Sequence, residues 1–345
     1  MELRKYESLS HEQANGKPGA SDLPYSGPML TVTDISARAR WAEPGLIDRL
    51  GEPVTDLGTV EWSSASACAL NDAVLRDARL EATPERPLHV LVSRVDRRIH
   101  SSRIISHVWS TPLPDKALYR LTPAVLLASP SFCLQTVAAG NSTVHSVVSA
   151  MEICGSYGRS PHARHGFYHR APLATPAELE AHFEQNHGYG AHRAREALRH
   201  VVAGSRSPME TVVVLLFTLP VELGGCALPT PALNARLEIP PDLQRAIMKP
   251  YVVVDLCWHD QRIILEYDSY LWHSSTLAVD SDSTRNEGLR DQGWMVRSVT
   301  AGMLANDDMR HHLVARVTER FGVRLPADQS FEALQHDLVE ELLAC

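Results

Sequence analysis

Glu266 and Asp268 stand one residue apart at the end of an apolar run, "IILEYDSYLWH" over residues 263–273, and His273 closes the stretch. Side chains alternate faces along a strand, so the two carboxylates share a face while Leu265 and Tyr267 take the other. A third acid, Asp255, lies inside the preceding apolar run "YVVVDLCW", where a buried carboxylate needs compensation. The residues "HDQR" between the runs suit a four-residue reversal. A loop of even length makes the numbers of opposed residues sum to an odd constant and puts Asp255 on the same face as Glu266. If the loop is "HDQR", Asp255 lies directly across from Glu266; an odd loop, such as "HDQ" alone, breaks the arrangement. Three carboxylates that close cannot all ionise cheaply, and a divalent cation resolves the conflict. Donors that are all oxygen favour Mg²⁺ or Mn²⁺, ions suited to phosphodiester hydrolysis. Without Asp255, an acid pair of this spacing would read simply as the solvated end of an edge strand.

Upstream, "SPME" at 207–210 places Ser207 and Glu210 three apart with Pro208 between them. That is the pattern of a capping box with proline in the first helical turn, which explains both residues as a helix cap. Cys154, His162, His165 and His169 gather in "CGSYGRSPHARHGFYH". One cysteine at that spacing fits no common zinc module, and the segment reads as a basic loop.

The elements that must position these residues follow from periodicity. "PLHVLVSRV" and "IISHVWS" read as strands joined by a basic connection, and "SPSFCLQTVAAG" and "STVHSVVSAMEICGSYG" as helices. A helix starts near Thr175 and Pro176, within a segment rich in Pro and Gly. Thereafter the order is helix, helix, strand ("ALNARLEI"), strand ("YVVVDLCW"), strand ("RIILEYD"), helix, strand ("WMVRSVT"), helix, an α/β layer pattern. The expected organisation is a poorly ordered arm over 1–28, a smaller mixed α/β domain over 29–189, an α/β domain over 190–325 and an acidic helix over 326–345.

The 345 residues, 44% hydrophobic and 21% charged, suit a folded chain of two domains. No stretch has the length of a membrane span or the apolar core of a secretory signal, so the expected location is the cytoplasm. The six cysteines are scattered singly and are expected to be reduced thiols. A net charge of -8 argues against coating nucleic acid by electrostatics alone. It leaves room for a local basic groove, and arginines do cluster at Arg94 to Arg103, Arg159 to Arg170 and Arg193 to Arg206.

Four stretches belong together: "SPME", "VDLCW" at 254–258, "LEYDSYLWH" at 265–273 and "DSTRNEGLRDQGWMVRSVT" at 282–300. The last carries the series Asp282, Arg285, Leu289, Gly293, Trp294, Val296 and Arg297. In combination they resemble the Vsr-like (very short patch repair type) branch of the PD-(D/E)XK endonuclease superfamily, in the actinobacterial form with an antitoxin-like or winged-helix-like N-terminal region. The resemblance implies a restriction-endonuclease-like αβββαβ core, in which Asp255 and Glu266 hold the metal and Glu210 approaches it. Asp268 then stands where the superfamily has its lysine, His273 matches a histidine that assists proton transfer, and Arg285 is the nearest candidate for a phosphate contact. Ser269 stands where a glycine is usual. The implied activity is Mg²⁺-dependent hydrolysis of DNA phosphodiesters, in repair, restriction or phage defence; RNA is an equally legible substrate. The alternative is a DNA-binding regulator or antitoxin that keeps the nuclease fold without turnover, which the missing lysine and Ser269 favour.

Overall fold

Short β-branched runs build two separate sheets in the computed structural model, which describes residues 29–56, 62–63, 71–268 and 276–345. The arm over 1–28, Ser269 and His273 lie outside the described residues. The first sheet contains β1 (Leu30–Val32), β2 (Leu88–Val92), β3 (Ile104–Val108), β4 (Leu118–Thr122) and β5 (Val125–Ala128), in the order β3-β2-β1-β5-β4. β2 and β3 are the two strands expected around the basic connection, and they run parallel, with Leu88 beside Ile104 and Leu91 beside His107. β1 is antiparallel to β2 and parallel to β5. Leu30, Val32, Val90, Leu126 and Trp41 are fully buried at its core.

Two helices cross to the second half of the molecule. Pro130–Gly140 and Thr143–Cys154 start at Ser129 and Ser142, whose hydroxyls accept from the Phe132 and His145 N–H groups. Each serine satisfies a donor that a helix start leaves without an intrahelical partner. A hairpin of β6 (Tyr157–Arg159) and β7 (Phe167–His169) follows. Next come the helices Pro176–Gln185, capped by a full Thr175–Glu178 box, and Ala191–Leu198.

The second sheet is built after the Pro208–Thr218 helix. β8 (Ala232–Glu238), β9 (Tyr251–Trp258) and β10 (Ile263–Tyr267) form an antiparallel meander. The Thr276–Asp291 helix then returns the chain to β11 (Met295–Val299), parallel to β10. The sheet order is β11-β10-β9-β8. Val212 to Phe217 of the first helix are at most 1% exposed and pack with Leu256, Leu265 and Val299, so this helix is apolar all round and lies between layers. Leu289 of the second helix packs with Val252, Val254, Ile264 and Val296 in a separate cluster. Helix, sheet and helix thus make three layers.

Packing runs across the boundary expected at residue 189, because Val144, Val147 and Met151 share one core with Val212 and Leu215. The C-terminal helix Gln329–Ala344 packs Leu338, Val339 and Leu342 into the same core. Among the described residues no helix is long and apolar enough to cross a membrane.

Candidate functional site

Asp255 is positioned by the register of β9 against β10. Ile263 opposes Trp258, Ile264 opposes Cys257 and Leu265 opposes Leu256, so the four-residue reversal sets the odd register, and one further step puts Asp255 across from Glu266. On the other side Leu233 opposes Leu256 and Ala235 opposes Val254, which sets Asn234 against Asp255. By register Asn234, Asp255 and Glu266 are level with one another, at the point where the ladder on each side of Asp255 is interrupted.

At that level the side chains take different partners. Asp255 Oδ2 accepts from the Tyr267 N–H at 2.8 Å. Burial, then the neighbouring Glu210 carboxylate, pushes the Asp255 carboxyl up to about 6. Glu210 is 7% exposed and opens the Pro208–Thr218 helix. Half of the expected capping box is present, since Ser207 Oγ accepts from the Glu210 N–H at 3.1 Å. The reciprocal half is redirected. Glu210 Oε2 accepts from the Arg206 N–H and from Asn234 Nδ2, each at 2.9 Å. Asn234 adopts a left-handed φ of 49° and also donates to the Gly204 carbonyl at 3.0 Å, which aims its amide at the carboxylate.

Glu266 turns to the other flanking helix, where Arg285 Nη2 donates to its Oε2 in an ion pair whose side chains are 20% and 16% exposed. Asp268 follows at the strand end, its N–H donating to the Val299 carbonyl at 2.8 Å. Asp255, Glu266 and Asp268 do not bring their carboxylate oxygens within 4.8 Å of one another; among the described residues, the set of donor atoms that does is elsewhere, at Asp34, His89 and His107.

Asp255 and Glu210 line a cleft of about 840 Å³. Its other polar walls are Arg206 and the basic hairpin, through Arg159, Arg164, His165 and His169. The hairpin is held by buried anchors. Arg170, 9% exposed, donates to the carbonyls of Glu152 (2.9 Å), Ala171 (2.9 Å) and Gly155 (3.3 Å). Glu152 Oε1 accepts from the Arg159 N–H at 2.8 Å. Tyr157 Oη and Thr211 Oγ1 lie 2.8 Å apart, tying the hairpin to the helix that carries Glu210. A Cβ on Gly158 would lie 2.5 Å from Ala42 Cα, so the hairpin backbone sits against the Asp34–Trp41 helix where a side chain has no room.

The arginines of this wall are uncommitted. Among the described residues Arg159, Arg164 and Arg206 make no side-chain ion pair, and the buried Arg159 Nη1 has no hydrogen-bond partner. An acidic floor under basic walls can hold a polyanion with the acids directed at it. The hairpin belongs to the segment read from sequence as a basic loop. Its place over Asp255 and Glu210 depends on anchors distant in sequence, and local composition does not signal it.

The three-residue set at Asp34, His89 and His107 was outside the sequence reading altogether. His89 Nδ1 and His107 Nε2 lie 2.9 Å apart, and Asp34 Oδ2 is 3.6 Å from His107 Nε2 and 4.0 Å from His89 Nδ1. Burial holds both imidazoles below the ordinary histidine range. The signal available was a histidine within each of two apolar strands, "LHVLV" and "IISHV".

No protein-family model, curated protein or solved structure matches this chain.

Proposed function

We propose that the chain is a Mg²⁺-dependent endonuclease acting on DNA phosphodiesters. The observation that carries the reading is Asp255, raised to about 6, beside the buried Glu210 on the floor of a cleft walled by uncommitted arginines. A raised carboxyl next to a second acid, in a cleft, is the environment in which functional carboxylates occur. The order helix, three-stranded meander, helix, parallel strand supports a restriction-endonuclease-like core.

Asp255 and Glu210 offer oxygen donors, which suit a hard divalent cation. When bound, Mg²⁺ or Mn²⁺ supplies polarisation of the phosphate and an activated water. Arg159, Arg164 and Arg206 bind and orient the flanking phosphates, bidentate where their guanidinium forks allow. Glu266 joins the metal set only by releasing Arg285, whose guanidinium is then free to neutralise charge on the phosphate in place of the absent lysine. His273, the proton carrier implied by the resemblance, lies outside the described residues; His165 and His169 are imidazoles that line the cleft.

The Arg285–Glu266 ion pair, with Asp268 in the lysine position, favours a second reading: a DNA-binding regulator that keeps the fold without turnover. Incubation of the purified chain with supercoiled plasmid and Mg²⁺ or Mn²⁺ separates the two. An endonuclease yields nicked or linear product, which Asp255→Asn removes while DNA binding persists. No cleavage of duplex, single-stranded, mismatched or branched DNA, with binding retained, establishes the regulator.

A further inference from the structure

We propose that Asp34, His89 and His107 form a second metal site in the N-terminal sheet, one that takes a transition-metal dication of the Zn²⁺ class. Three different elements deliver the donors. His89 lies on β2 and His107 on β3, where Leu91 pairs with His107 and His89 with Ile105. The two histidines are therefore offset by two residues on adjacent parallel strands, and side chains two apart share a face. Asp34 opens the Asp34–Trp41 helix directly after β1, and the Thr33 N–H donates to the His89 carbonyl at 3.0 Å, which seats the start of the helix beside His89.

The two imidazoles are within hydrogen-bond distance of each other at 2.9 Å, and an ion takes the place of that bond, while the carboxylate stands apart from both rings. Asp34 Oδ2 stands 3.6 Å and 4.0 Å from the two ring nitrogens, beyond the range of a direct hydrogen bond. Both exceed the donor-to-donor spacing of about 3.4 Å expected around a tetrahedral ion bound at about 2.1 Å, and the 2.9 Å between the rings falls below it. A triangle of sides 2.9, 3.6 and 4.0 Å has a circumradius of about 2.1 Å, so one point lies at a zinc-ligand distance from all three atoms. Closing the two Asp34 distances from 3.6 and 4.0 Å towards about 3.4 Å shrinks the triangle, which lifts that point out of the plane and leaves a fourth position for water. Two imidazoles and one carboxylate are a donor set of intermediate softness, which suits Zn²⁺ better than Mg²⁺ or Ca²⁺.

The surroundings hold the carboxylate in place. Asp34 is 4% exposed, and among the described residues the basic groups within 4 Å of its carboxylate are these two imidazoles, which carry charge only when protonated. Burying an anion against partners that need not be charged is expensive, and a dication supplies the missing charge. Asp34 Oδ1 accepts from the Ile35 N–H at 2.7 Å, which fixes one oxygen and leaves the other facing the rings. Asp34 also has a left-handed φ of 54°, a conformation that costs a residue with a Cβ. The His89 N–H donates to Ser36 Oγ at 3.0 Å, and Cys133 Sγ donates to the Asp34 carbonyl at 3.1 Å, so both strand and helix start are pinned around the three donors. The site is independent of the Asp255 cleft in residues and in metal preference.

The test uses the full chain, stripped with a chelator and titrated with Zn²⁺ by calorimetry, beside His89→Ala, His107→Ala, Asp34→Asn and Asp255→Asn. The expected result is uptake of Zn²⁺ by the parent chain and by Asp255→Asn, with a rise in melting temperature for both. Loss of an outer hydrogen-bond partner already weakens metal sites 10- to 100-fold, so removing either imidazole is expected to weaken Zn²⁺ at least about 100-fold and to abolish the thermal shift. Should an alanine variant not fold, Co²⁺ replaces Zn²⁺ on the parent chain and on His107→Gln: intense visible bands of four-coordinate Co²⁺ in the parent, lost in the variant, support the site. Failure of the parent chain to take up Zn²⁺, or uptake unchanged by loss of His89 and His107, overturns it.

Discussion

Asp255→Asn should make the protein more stable at neutral pH. In the folded chain burial and Glu210 push this carboxyl from 3.8 to about 6. A difference of about two units corresponds to about 3 kcal/mol. The folded state holds the proton more tightly than the unfolded chain, so the benefit of a protonated Asp255 is complete below about pH 4. It is lost as pH rises through about 6, and above that the ionised carboxylate costs the fold the whole amount. Asparagine removes the charge but keeps an oxygen to accept the Tyr267 N–H, which lies at 2.8 Å in the parent. Imperfect burial of the amide takes back part of the gain, so the variant should be about 1–3 kcal/mol more stable at pH 8. About half of that should remain at pH 5, and almost none below pH 4. Urea unfolding followed by tryptophan fluorescence at pH 4, 5, 6 and 8 measures the gap. A variant less stable than the parent at pH 8, or a gap that does not narrow between pH 7 and pH 4, refutes the assignment of Asp255 as an acid strained by burial.

Other consequences are open to direct measurement. Arg285→Ala removes the cation from a half-buried Glu266 and should cost about 1–3 kcal/mol in urea unfolding; added Mg²⁺ should recover more of the variant's melting temperature than it adds to the parent's. Gly158→Ala places a methyl 2.5 Å from Ala42 Cα and 2.8 Å from its Cβ, so a midpoint lowered by about 1–3 kcal/mol is expected, along with weaker DNA binding as the hairpin shifts. Arg164→Ala, on the cleft wall, should weaken binding across sequences alike and reduce the slope of log affinity against log salt by about 1; an unchanged slope removes Arg164 from the phosphate contacts.

Register was the most legible feature, because loop length and side-chain alternation are local. Sequence left the choice between an even and an odd reversal at "HDQR", and the pairs from Ile263–Trp258 to Leu265–Leu256 have the even-loop register. The long helices and the strands of the second sheet were likewise visible in their apolar periods, and Ser129 and Thr175 marked helix starts that the structure repeats. Several short elements were not visible: β1, β4, β5 and the Pro241–Ile247 helix offer too few residues for a period to emerge. What each acid touches was also hidden. Glu210 was readable as a helix cap, but its bonds to Arg206 and Asn234 depend on β8 passing beside the helix start. The partnership of Glu266 with Arg285 required the Thr276–Asp291 helix to fold back over β10. Asp34, His89 and His107 come from three elements with no shared motif, and only the order of strands in the first sheet gathers them.

Plasmid nicking tests the central claim most directly. The purified chain with supercoiled DNA and Mg²⁺ or Mn²⁺ should produce nicked or linear product, lost with chelator and lost in Asp255→Asn although that variant is folded and binds DNA. Cleavage that persists in Asp255→Asn, or a parent chain that binds DNA and cuts none with either metal, contradicts it.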